Sequence, residues 1–96
     1  MSSPNEDDIT LLRSVGIGLD IKVFMESALG KFLLERAECE AVSAFTALKI
    51  ADPEDAKLIR SLQNTIKVAE SFEIWLIEGI DAGKAAEAQY EASRLD

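Results

Sequence analysis

From Ile21 to about Ala51 the chain contains no proline and a single glycine, Gly30. Across that stretch Met25, Leu29, Leu33, Ala37, Ala41, Ala44 and Leu48 recur at spacings of three and four, which is one stripe of a helix. Leu, Ala, Glu, Lys and Arg dominate it, residues that give up little side-chain freedom in helical geometry. About 31 residues at ~1.5 Å rise make a rod of ~46 Å, with Gly30 as its weak point. The run ends at Asp52-Pro53-Glu54-Asp55. Proline disfavours helical geometry at Asp52 but suits the first position of a new helix, where its missing N–H is not needed. Asp52 then reads as the N-cap, and Glu54 and Asp55 sit well on the positive end of the helix dipole. Two helices joined by almost no loop fold back as an antiparallel hairpin.

The second helix is expected from Pro53 at least to Glu78, with Leu58, Leu62, Ile66, Ala69, Leu76 and Ile80 in its stripe and Ile59, Phe72 and Trp75 beside it. Gly79 and Gly83 permit a break, with Asp81 able to cap a restart, and Lys84 to Arg94 continues as a helical extension. Before the hairpin, residues 1–8 read as a flexible leader. Ile9 to Val15 forms one or two turns capped by Asp7 or Asp8. Gly16-Ile17-Gly18 reads as a joint, and Asp20 caps the long helix. The expected fold is therefore all-α: a hairpin of about 20–51 and 53–78, a short N-terminal segment and a C-terminal extension. It makes one helical domain over 9–96.

Composition narrows the function. The chain of 96 residues carries 18 Asp and Glu against 10 Lys and Arg, a net charge of −8, with no histidine. Missing histidine removes the commonest general base and metal ligand. One cysteine, Cys39, excludes internal disulfides and CxxC motifs, and its neighbours Glu38 and Glu40 disfavour a thiolate. The scattered basic residues form no run that grips phosphates, so direct nucleic-acid binding is not expected. A leader ending in Glu6-Asp7-Asp8 is unlike a secretion signal. No apolar run is long enough to span a bilayer, and anionic lipid repels an acidic protein. Gly16-Ile17-Gly18 lacks the preceding strand and third glycine of a phosphate loop. No cofactor and no enzymatic activity are expected.

Folding at residue 52 pairs positions whose numbers sum to roughly 104. Small residues (Ala37, Ala41, Ala44, Ala47, Ala51) line the turn end, whereas Phe32-Leu33-Leu34 and Ile74-Trp75-Leu76-Ile77 are apolar all the way round. One helix contact buries one stripe only. Phe24, Phe32, Leu33, Phe72, Trp75, Leu76, Ile77 and Ile80 are therefore the candidate interface residues. They await a protein partner, a second copy of the chain, or cover from residues 9–19 or the tail around Tyr90.

Acidic pairs at helical spacing offer a second surface. Glu35, Glu38, Glu70, Glu73, Glu87 and Glu91 would form an acidic face able to steer the chain to a basic partner. Such pairs can also ligate Mg²⁺ or Mn²⁺. Glu35-x-x-Glu38 with Glu78-x-x-Asp81 is similar to the carboxylate pattern of all-α nucleotide pyrophosphohydrolases, but the gap between the pairs is too long. An acidic helical protein presents such pairs as ordinary solvated faces, and no metal site is expected.

Three segments carry a further likeness: Asp52-Pro53-x-Asp55, then Ile59-Arg60-x-Leu62-Gln63-Asn64-x-Ile66, then Ala69-Glu70-Ser71-Phe72-x-x-Trp75-Leu76. Here the chain resembles small helical proteins of tailed bacteriophages, encoded in the morphogenesis region near terminase and portal genes. The likeness covers about residues 29–91 and transfers no catalytic residues. It implies a structural or assembly role in the virion, or an acidic inhibitor of a host defence or nucleic-acid-binding enzyme. A small terminase-like packaging subunit or a metal-dependent nucleotide pyrophosphohydrolase ranks below both. The implied location is the host cytoplasm or the virion.

Overall fold

A computed structural model describes residues 6–95, which form three helices: α1 (Glu6–Glu26), α2 (Ala28–Ile50) and α3 (Ala56–Arg94). No strand occurs among the described residues, so the chain is all-α as its periodicity requires. It divides into two compact units. One holds α1, Ser27 and α3 from Leu76 onward; the other is Ala28–Trp75.

In the unit Ala28–Trp75, α2 and the first half of α3 are linked by residues 51–55. The link departs from the sequence expectation in one respect. Asp52 does not cap a helix that begins at Pro53; instead Asp52 to Asp55 form a β-turn, with the Asp55 N–H donating to the Asp52 carbonyl at 2.9 Å. Pro53 sits at the second position of that turn, which its fixed φ suits. The Asp52 carboxylate accepts the Glu54 N–H at 2.9 Å. Asp55 is the actual N-cap, its Oδ1 accepting the Leu58 N–H at 3.1 Å. The signal was right, but the helix starts one turn later. Ala44 and Ile66 are the buried apolar residues of this unit.

The other unit corrects the sequence reading more deeply. Gly16 and Gly18 form no joint, because α1 runs unbroken through both. Asp20 is a mid-helix residue, not a cap, and Asp7 and Asp8 lie within the first turn with Glu6, where their charge opposes the helix dipole favourably. Those three residues were expected in the leader; residues 1–5 of the leader lie outside the described residues. The long helix expected from 20 to 51 is interrupted at Ser27, whose N–H is shared between the Val23 and Phe24 carbonyls, both at 3.1 Å. The Ser27 hydroxyl also donates to the Phe24 carbonyl at 2.5 Å, a local bond that competes with the helical ladder.

Gly79 and Gly83 likewise break nothing, since α3 continues through them to Arg94. No described glycine has a positive φ. Their purpose is proximity. A Cβ on Gly18 would stand 3.2 Å from the Gly83 Cα and 3.3 Å from the Gly79 carbonyl oxygen, so the backbones of α1 and α3 touch there. Small residues four apart on α1 (Ser14, Gly18) and on α3 (Gly79, Gly83) face each other, and the approach is possible because side chains are missing. Gly18, Gly83 and Ala86 are buried at this crossing level of the unit.

Candidate functional site

Within Ala28–Trp75, the contact between α2 and α3 leaves three open grooves. The first, of about 370 Å³, is lined by Arg36, Cys39, Glu40, Ser43 and Ala44 from α2 and by Leu62 and Thr65 from α3. A second, of about 420 Å³, shares Glu40 and Thr65 with it and adds Ala37, Asn64, Val68, Ala69 and Phe72. The first groove holds the Arg36–Glu40 ion pair at 3.2 Å, formed between exposed side chains one helical turn apart and contributing little to stability.

Beyond that pair the same stripe of α2 continues to Leu29 and Leu33, at the 3–4 spacing 29-33-36-40, with Phe32 beside it. On α3 the stripe runs through Asn64, Val68 and Trp75. Leu29 and Phe32 are each 61% exposed, Val68 64% and Trp75 67%. Leu33 and Phe72 are half-buried. Of the interface residues expected in this unit, Phe32 and Trp75 are thus open to solvent. Leu29, which the periodicity placed in the apolar stripe, is exposed as well, and so is Val68, which no sequence argument singled out. For Val68 the seven-residue spacing from Trp75 was the available signal.

The third groove shares Ala37 and Ala69 with the second; Leu34 and Ala41 complete its apolar lining, with Glu38, Glu70 and Glu73 along it. The hairpin register estimated from sequence put Glu38 near residues 66–69; here it shares a groove with Glu70 and Glu73. All three carboxylates, and Glu35, are exposed. None of them has an ion pair among the described residues.

In the other unit Phe24, Leu76 and Ile80 are half-buried and Ile77 is exposed. Glu87 and Glu91 are exposed on α3, and the Arg94 guanidinium lies 5.6 Å from the Tyr90 ring centroid. Ile80, Gly83, Lys84 and Glu87 of α3 share a small recess with Val15, Gly18, Leu19 and Lys22 of α1.

The two carboxylate pairs of the pyrophosphohydrolase-like pattern fall in different units, Glu35 and Glu38 in one and Glu78 and Asp81 in the other. Among the described residues, no group of three or more His, Cys, Asp or Glu is placed to hold a metal ion. Cys39 is exposed in the first groove, with Arg36, Glu40 and Ser43 as its polar neighbours there. Among the described residues no helix is long and apolar enough to cross a membrane. The arrangement offers surfaces for contact: apolar residues held out on rigid helices, and carboxylates along a shallow groove.

No family model matches the chain, and neither a curated protein nor a solved structure matches it.

Proposed function

We propose that the chain is a non-enzymatic, phage-encoded interaction protein with a structural or assembly role in the virion, acting through packed helices. One observation carries the interaction reading. Among the described residues the buried apolar side chains are Ala44, Ile66 and Ala86, no large side chain is fully buried, and large apolar residues stand exposed on all three helices. A helix that keeps its apolar side chains in water has not yet met everything it packs against. In this reading Ala28–Trp75 works as an antiparallel helical hairpin that presents its apolar end, and the segment beyond Leu76 extends it. The assignment to a phage rests on the likeness carried by Asp52-Pro53-x-Asp55 and by Ala69 to Leu76. Mass spectrometry of purified particles tests it. A virion component is present in fixed stoichiometry, and substituting Val68 by Arg removes it from the particle. Absence from particles defeats the assembly role.

A second reading has its own support in the groove where Glu38, Glu70 and Glu73 stand together. There the chain would be an acidic inhibitor of a host defence or nucleic-acid-binding enzyme, steered to a basic surface and anchored by apolar contact. Steering of that kind weakens as salt shortens the screening length from about 10 Å at 0.1 M to about 3 Å at 1 M. An early-made protein left outside the particle, whose association with its target slows steeply with salt, favours this reading over assembly.

A further inference from the structure

We propose that the groove between α2 and α3 that holds Glu38, Glu70 and Glu73 docks a basic amphipathic helix of a partner protein; the proposal rests on the acidic reading above and names what that partner presents. The first ground is shape. The groove, of about 240 Å³, takes its apolar lining from Leu34, Ala37 and Ala41 of α2 and Ala69 of α3, all half-buried. Positions 34, 37 and 41 span about 10 Å of helix, or two turns. Over that length a partner helix lays down apolar anchors at i, i+3 or i+4, and i+7. Three of the four apolar lining residues are alanine, and short side chains at a contact let a second helix axis come close.

The second ground is charge, which selects the occupant. Glu38 of α2 and Glu70 and Glu73 of α3 are exposed along the groove, and no Lys or Arg lines it. None of the three has an ion pair among the described residues. Glu40, which lines the other two grooves of the unit, is by contrast already met by Arg36 at 3.2 Å. An uncharged or acidic partner laid on the apolar lining would strip water from carboxylates that it cannot pair. A second copy, at −8, is repelled in the same way. A helix with Lys or Arg beside its apolar strip gives the carboxylates cations and covers the lining in one contact. A metal ion fits less well, since among the described residues no three acidic side chains are placed to hold one. A bare polycation would leave the apolar lining in water.

Fluorescence anisotropy with the full chain and three labelled synthetic peptides of about five helical turns tests this. The first peptide is a helix with a Leu strip flanked by Lys, the second carries the same strip flanked by Glu, and the third is oligolysine. The Leu/Lys helix should bind at least about tenfold more tightly than either of the others, and its affinity should fall about tenfold or more between about 0.05 and 0.5 M NaCl. Glu38→Lys combined with Glu73→Lys should abolish that binding with the helical circular dichroism retained. Glu78→Lys combined with Glu91→Lys, at exposed positions of the other unit, makes the same change in net charge and should leave the affinity within about twofold. Equal loss from the two double variants, equal binding of the Leu/Glu helix, or no binding of the Leu/Lys helix at about 1 mM overturns the proposal. Oligolysine bound as tightly as the Leu/Lys helix, and released by the groove variant, removes the docked helix but leaves the acidic reading intact. A chain that binds neither basic peptide removes both.

Discussion

Gly18 of α1 and Gly83 of α3 meet backbone to backbone: a methyl built on Gly83 would stand 3.1 Å from the Gly18 Cα and 2.9 Å from the Ser14 carbonyl oxygen. Neither neighbour can turn aside, since both belong to helical backbone. The crossing therefore makes a sharp prediction about three glycines. Gly83→Ala gains about 1 kcal/mol of helix propensity but forces the helices apart, an overpacking cost of about 1–3 kcal/mol. Its melting temperature should fall. Gly16→Ala meets nothing within 4 Å and should gain about 0.5–1 kcal/mol, raising the midpoint by several degrees. Gly79→Ala contacts only the end of the flexible Ile21 side chain and should be close to neutral. Thermal denaturation of the three variants checks the order Gly16, Gly79, Gly83 from most to least stable.

The link between α2 and α3 predicts that two neighbouring aspartates differ. Asp55 caps α3 through the Leu58 N–H, whereas Asp52 supports the turn through the Glu54 N–H. Asp55→Ala should cost about 1 kcal/mol, and Asp55→Asn should recover most of it because an amide oxygen still accepts. Asp52→Ala should cost less, the turn keeping its backbone bond from the Asp55 N–H. Equal losses in urea denaturation would contradict this assignment of roles.

Ile66 is one of few buried apolar side chains, at 8% exposure. Ile66→Ala should destabilise the chain by about 2–3 kcal/mol, the low end for a buried Ile because the site is near the surface. Trp75→Ala, removing a far larger but mostly exposed side chain, should cost the isolated chain less than that. If Trp75 packs against a partner, its loss instead shows in particle incorporation or in self-association. Denaturation measured at several protein concentrations separates the two contributions.

The exposed carboxylates make the opposite kind of prediction. Glu70→Gln and Glu73→Gln should leave stability within about 0.5 kcal/mol, because neither side chain is buried and neither has an ion pair among the described residues. Should the acidic groove bind a basic target, the same pair should slow association more than it speeds release, and less so at high salt. Stopped-flow association at two ionic strengths reads both effects.

Periodicity determined the helical class on its own: a spacing of three and four from Met25 to Leu48, and again from Leu58 to Ile80, has no other regular conformation that keeps apolar residues on one side. Pro53 between aspartates likewise located the link, to within the turn that Asp55 rather than Asp52 closes. Local chemistry sufficed there because caps and turns involve neighbours in sequence. The acidic residues were legible as exposed for a similar reason, each lying off the apolar stripe.

What a glycine does was not legible. Gly16, Gly18, Gly79 and Gly83 all weaken a helix in isolation by about 1 kcal/mol, so sequence alone reads each as a joint or a break. Tertiary contact decided otherwise for three of them. Where α1 and α3 cross, the absence of a Cβ allows the backbones to touch, and the packing so gained outweighs the propensity lost. Ser27, an unremarkable residue by propensity, nonetheless separates α1 from α2, its hydroxyl donating to the Phe24 carbonyl. The grouping of Glu38 with Glu70 and Glu73, and the exposure of Leu29, likewise came from the packing of α2 on α3. Periodicity assigns each residue to a face of its own helix, but only the contact between helices decides which of those faces is covered.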